Sequence, residues 1–221
     1  MKTLVLATFA LMMAAGVFGQ GTIFFNNRNS LGTSHVYAPL FSGVGKVGNG
    51  PNDGPSGTTD WTGYTPIGTI GLTGQYGGAT TFAQLLAANG ANQPESSLTP
   101  QGGIVTFRTG AGAGFLQTGF TDTLGNVPKD SPVATLEVVA WDNSSGLYST
   151  YALAYNAWYY GGLGMGWSGP FNQFAVGGDL NTPPNTVFPS FNLYSIVGPE
   201  PSASTLVGLG AAMMFVLRRR K

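Results

Sequence analysis

Hydrolysis of a glycosidic bond needs two carboxyl groups, one to deliver a proton and one to assist attack. Glu95, Glu137 and the scattered aspartates supply the residue types and could meet in space, though nothing in their spacing suggests that they do. Loss of activity on changing Glu137 or Asp142 would mark a hydrolase of that kind. His35 is the sole histidine. It could act as a general base, but "SHVYAPL" also suits a strand residue with an ordinary hydrogen bond. No second histidine exists for a conventional zinc site. Ser168 in "GWSGP" is only superficially a nucleophile elbow, because Pro170 takes the place of the second glycine. The run "GVGKVG", 43–48, satisfies G-x-G-x-x-G literally. A nucleotide loop must follow a strand and open a helix, whereas "NGPNDGP" follows here. Asp142 with Asn143, and Asn52 with Asp53, could offer oxygens to calcium. Both lack the alternating acids of a calcium loop and read better as turns.

Binding chemistry is more visible than catalytic chemistry. In "YNAWYYGGLGMGWSG", Trp158, Tyr159, Tyr160 and Trp167 flank a glycine-rich turn. Exposed, such rings stack on sugars or pack on a partner; buried, they are core residues at a strand end.

These residues must be positioned by strands. "GTIFFNN", "SHVYAPLF", "GGIVTFRTG", "LYSTYALAYNAW" and "FNLYSIV" are short apolar runs between turn signals. "PVATLEVVAWDNSSG" alternates best: Leu136, Val138 and Ala140 point one way, Glu137, Val139 and Trp141 the other, and a turn follows over 142–146. One helix is expected in "TTFAQLLAANG", with Thr80 or Thr81 as N-cap, Phe82, Leu85 and Leu86 on one face, and Gly90 as the stop. The expected fold class is all-β, mainly an antiparallel sandwich or barrel with one short helix, plus a C-terminal transmembrane helix.

Composition narrows the function classes. The 221 residues are 43% hydrophobic and only 8% charged, with 35 glycines and no cysteine. Disulfides, thiolate metal sites and cysteine nucleophiles are therefore excluded. Formal net charge is zero, but Lys2 and the block Arg218, Arg219, Arg220 and Lys221 hold most of the cations at the ends. The mildly acidic middle has no electrostatic footprint for nucleic acid. Nothing in the pattern asks for a metal or a cofactor.

The two ends are the most informative stretches. "MKTLVLATFALMMAAGVFGQ" has a cationic start, an apolar run from Leu4 to Ala15, and Val17 and Gly19 before a cut that would leave Gln20 first. That is the layout of a secretory signal peptide, 1–19. At the other end the uncharged segment 203–217 would extend roughly 22 Å as a helix, a marginal span that the following cations would hold on the cytoplasmic side. Pro199 and Pro201 disfavour helix and keep "PEP" extended outside the membrane.

Pro199, Glu200 and Pro201, then Ser202, the segment 205–217 and the cations 218–221 closely resemble the PEP-CTERM sorting signal of Gram-negative envelope proteins. Gly198 and the spacer "SAS" depart slightly from that pattern. The resemblance implies recognition by an exosortase, a membrane-embedded cysteine transpeptidase, which would cut near the motif and pass the body to an envelope or extracellular acceptor. "QGTIFFNN", "TFRTG" and "LEVVAWD" also resemble uncharacterised secreted PEP-CTERM proteins of Verrucomicrobia-type bacteria, a family that brings no activity. The expected organisation is a signal peptide over 1–19, a β-rich extracytoplasmic domain over 20–198 and a sorting signal over 199–221. The leading expectation is a non-enzymatic cell-surface or matrix protein, membrane-anchored before processing, with an exosortase and the membrane as its partners. Its alternative is a module for extracellular polysaccharide using the aromatics near residue 160.

Overall fold

A computed structural model describes residues 19–29, 32–40, 44–49, 58–117 and 119–196. Residues 1–18 of the expected signal peptide, Asn52 and Asp53, the motif Pro199–Pro201 and the tail to Lys221 lie outside the described residues.

The body is built on a mainly antiparallel sheet whose centre is β8, Val133–Asp142. One edge of β8 pairs with β5, Thr81–Asn89, over the full register from Thr81 opposite Asp142 to Asn89 opposite Ala134. β5 in turn pairs with β6, Thr99–Val105. The other edge of β8 takes two short strands in succession, β9, Met165–Trp167, and β10, Phe171–Phe174. A separate antiparallel pair joins β1, Gln20–Phe25, to β7, Phe120–Pro128. Minor elements are β2, Arg28–Asn29, with β3, Gly32–Thr33, and the parallel contact of β4, Val36–Tyr37, with β11, Phe191–Asn192.

The central sheet separates two cores. On one face Ala83, Leu85 and Ala87 of β5 and Leu136, Val138 and Ala140 of β8 meet Ile23 and Phe25 of β1 and Leu124 and Val127 of β7. On the other, Leu86, Ala88, Val139 and Trp141 meet Met165, Leu163 and Ala154. With both faces covered, nine of the ten β8 positions, all but Val133, are buried. The alternation expected for β8 is thus present, and it divides two apolar cores rather than a core from water. In the run "GGIVTFRTG" Val105 and Phe107 are buried, while Ile104 is exposed.

Helix and strand change places relative to the sequence reading. The segment expected as a helix is β5. Its Phe82, Leu85 and Leu86 mimic a helical stripe because a strand buried on both sides carries apolar residues at odd and even positions alike. The helix is α1, Tyr151–Tyr159, in a run that reads as a strand from its aromatics. Thr150 caps it, the side-chain oxygen accepting from the Leu153 N–H. A nine-residue helix is marginal alone, and docking sustains it: Ala154 is buried in the second core, and the Trp158 indole N–H donates to the Tyr194 carbonyl at 3.0 Å. Among the described residues, no helix is long and apolar enough to cross a membrane.

Candidate functional site

The second core is open at one end, and there the wall of the sheet becomes polar. β8 puts Glu137 on the same face as Val139 and Trp141, so the alternation that builds the core also drives a carboxylate into it. Glu137 is 1% exposed, and its Oε2 is buried without a hydrogen-bond partner. Burial pushes its carboxyl up to about 8, and the nearby Glu95 carboxylate adds to the push. Glu95 opens a single 3-10 turn, Glu95–Ser97, between β5 and β6. The topology therefore gathers two acids that are far apart in the chain.

Both line a pocket of about 290 Å³ together with Trp167, Tyr194, Lys46 and Asn192. That is near the lower end for a small-ligand site and fits about one sugar ring. The aromatic wall is continuous. Trp167 meets Trp158 edge to face at 4.6 Å, and Tyr194 lies 5.4 Å from Trp158 and 6.1 Å from Trp167, centroid to centroid. Tyr155 joins from α1, 6.3 Å from Trp167. Trp167 is half-buried, so the ring is anchored and still reachable.

Three backbone devices hold this wall. Met165 and Tyr194 exchange both backbone hydrogen bonds, at 3.0 and 2.9 Å, which ties β9 to the stretch just after β11. Gly166 makes that approach possible, because a Cβ there would run into the Asn192 carbonyl. Asn192, 1% exposed, clamps the opposite rim: its Oδ1 accepts from the Lys46 N–H at 2.6 Å and its Nδ2 donates to the Val44 carbonyl at 3.0 Å. Gly45 in that rim faces Tyr194, whose ring would lie 2.6 Å from an added Cβ.

The charge balance of the pocket is uneven. Lys46 contributes to the lining, but its ammonium lies over the rings of Trp61 and Tyr64, 4.8 and 5.2 Å from their centroids, and donates to the Asp60 carbonyl. Its positive charge is therefore engaged with other partners, leaving two carboxyl groups on the pocket wall.

The residues singled out by sequence separate into distinct places. Trp167 lines the site and Trp158 backs it, whereas Tyr159 and Tyr160 form their own edge-to-face pair at 5.3 Å, 60% and 76% exposed at the end of α1, and do not line the pocket. Glu95 and Glu137 are brought together. Asp142 is not among the lining residues: it accepts from the Ser144 N–H and hydroxyl and from the Tyr76 N–H, and so shapes a turn. Asn143 does the same through the Tyr148 N–H. Ser168 is buried, accepting from the Val138 N–H and donating to the Gly169 carbonyl, which makes it a strand tie rather than a nucleophile. His35 packs on Phe115 at 4.2 Å, and burial, helped by Arg28, lowers it to about 4. It is a neutral core residue. Within the glycine run, the described residues 44–48 form no helix. Among the described residues, no group of three or more acids and histidines could hold a metal ion.

Tyr194 and Asn192 were not anticipated as site residues. "FNLYSIV" reads simply as a closing strand, and the signal for a site appears only when β9 lies beside it. Compared with protein-family models, curated proteins and solved structures, the chain matches none.

Proposed function

We propose that this chain is an exported cell-surface or matrix protein whose β-rich body binds an extracytoplasmic saccharide in the pocket of Glu95, Glu137, Trp167 and Tyr194. The observation that carries the binding reading is the convergence of two carboxyl groups and a half-buried tryptophan on a cavity of about 290 Å³. Sugars present an apolar ring face and a rim of hydroxyls, and an aromatic wall beside hydrogen-bonding carboxyl groups answers both. Export and sorting rest on the termini: the signal-peptide layout of 1–19, and the Pro199–Glu200–Pro201 motif, apolar segment and cations of 199–221. In this reading the segment 203–217 is a transmembrane helix, an exosortase recognises the motif, and the sheet with its β1–β7 layer is the extracytoplasmic sandwich.

Two experiments test the two halves. Full-length protein in detergent is screened on a glycan array, with Trp167→Ala as control. Binding that falls about tenfold in the variant supports the site; binding unchanged by it, or none, removes it. Release of reducing sugar from a bound glycan would replace binding by hydrolysis, with Glu137 as the acid. Intact mass of the protein from its native cells, beside Glu200→Ala, tests sorting. A mature end near residues 199–201 in the wild type alone supports exosortase processing, and "RRRK" recovered in both would leave only an anchor.

A further inference from the structure

We propose that the pocket selects a saccharide carrying a free amino group, bound as an ammonium by the carboxylates of Glu95 and Glu137. This rests on the saccharide reading and names the ligand class within it.

Three observations converge. Glu137 is almost completely buried, yet Oε2 has no donor in the folded chain, a state that costs free energy unless a ligand supplies the donor. The second carboxyl group on the wall belongs to Glu95, and the lining cation Lys46 is committed to Trp61, Tyr64 and the Asp60 carbonyl. The pocket thus has two acids and no counter-charge directed at them. The rest of the wall is aromatic, Trp167 and Tyr194 backed by Trp158. A neutral sugar would stack on such a wall but bring no positive charge to Glu95 and leave Glu137 in its neutral form. An ammonium supplies three N–H donors, the missing charge, and attraction to the ring faces.

The binding step has a defined proton balance. In the free protein Glu137 is protonated at neutral pH, because burial and Glu95 hold it up to about 8. An entering ammonium stabilises the carboxylate, so Glu137 gives its proton to the buffer as the ion pair forms. A neutral sugar would leave that proton in place.

The test compares glucosamine oligomers with N-acetylglucosamine and glucose oligomers of the same length. Calorimetry on the full chain in detergent is run near pH 6, in two buffers of different ionisation enthalpy. The expected result is a preference for glucosamine on the order of tenfold or more, with proton release that the other sugars do not cause. Glu95→Gln, at an exposed position where folding is not at stake, should reduce the preference, and Glu137→Gln should abolish the proton release. Equal binding of acetylated and free-amine oligomers overturns this inference while keeping the saccharide reading. Failure of all three sugars overturns both. Glucosamine binding that survives both variants, or is matched by polylysine, places the cation elsewhere and overturns it too.

Discussion

Glu137→Gln should remove a specific piece of the protein's pH dependence. The carboxyl titrates near 4.5 in an unfolded chain and near 8 in the fold. Between those values the folded state holds a proton that the unfolded state releases, so stability falls as pH rises. Each pH unit well inside the window costs about 1.4 kcal/mol. The upper part of the window is clean. Asp122, raised by burial to about 6, loses most of its influence above that value, and His35, lowered to about 4 from 6.5, is neutral in the fold there, its unfolded form contributing only about 0.4 kcal/mol of opposite sign as it discharges. From pH 6.5 to 8 the wild type should therefore lose about 1.6 kcal/mol of unfolding free energy through Glu137 alone, the slope falling as the folded carboxyl itself begins to ionise. Gln keeps the shape and cannot ionise. Urea unfolding followed by fluorescence of Trp141, Trp158 and Trp167 measures both proteins across that range. Parallel pH curves for wild type and variant would refute the claim that a buried, unpartnered acid sits at this position.

Four further outcomes follow from the geometry. His35→Gln should flatten the loss of stability that the wild type shows as pH falls from 6.5 toward 4, where the unfolded histidine charges first; thermal melts at pH 5 and 7 read this. Asp130 accepts from the backbone N–H groups of Asp179, Leu180 and Asn181, which hold its carboxyl below the ordinary value of 3.8. Asp130→Ala should lower the melting temperature at pH 7, and the gap should close in acid as the wild-type carboxylate is protonated. Gly166→Ala should destabilise by about 1–3 kcal/mol, because the new methyl meets backbone that cannot swing aside. Gly45→Ala meets the Tyr194 ring instead, so it should leave stability nearly intact and weaken ligand binding, measured by calorimetry.

The strand β8 was legible because its alternation is strict, and the turn after it because Asp142, Asn143 and Gly146 are turn-formers by chemistry. The exchange of helix and strand has one cause. β5 is buried on both faces, which erases its period of two, while α1 buries only Ala154 fully and leaves Leu153 and Tyr155 half exposed. A helix that touches its core at so few points has no wide apolar stripe to betray it. The site was half legible. Trp158 and Trp167 stood out by type, and Glu95 and Glu137 were recognisable as acids of the right kind. Nothing local could show that they meet, because the meeting is made by the return of β9 along β8 and of Tyr194 along Met165. Tyr159 and Tyr160 were grouped with the tryptophans because they adjoin in sequence, and the end of α1 parts them.

The pocket's wall also lies close in sequence to residue 199. Tyr194 stands five residues before Pro199, and even a fully extended chain covers that gap in roughly 18 Å. Whatever fixes residue 199, a membrane segment or a covalent acceptor, therefore fixes the binding site within about the width of one small domain. Such a leash is too short to reach a distant partner. In the proposed reading, with residue 199 anchored and a saccharide in the pocket, it would suit a receptor that grips polymer already lying against the surface, each tethered copy adding one contact to the same chain, so that hold would come from number rather than from the strength of any single grip.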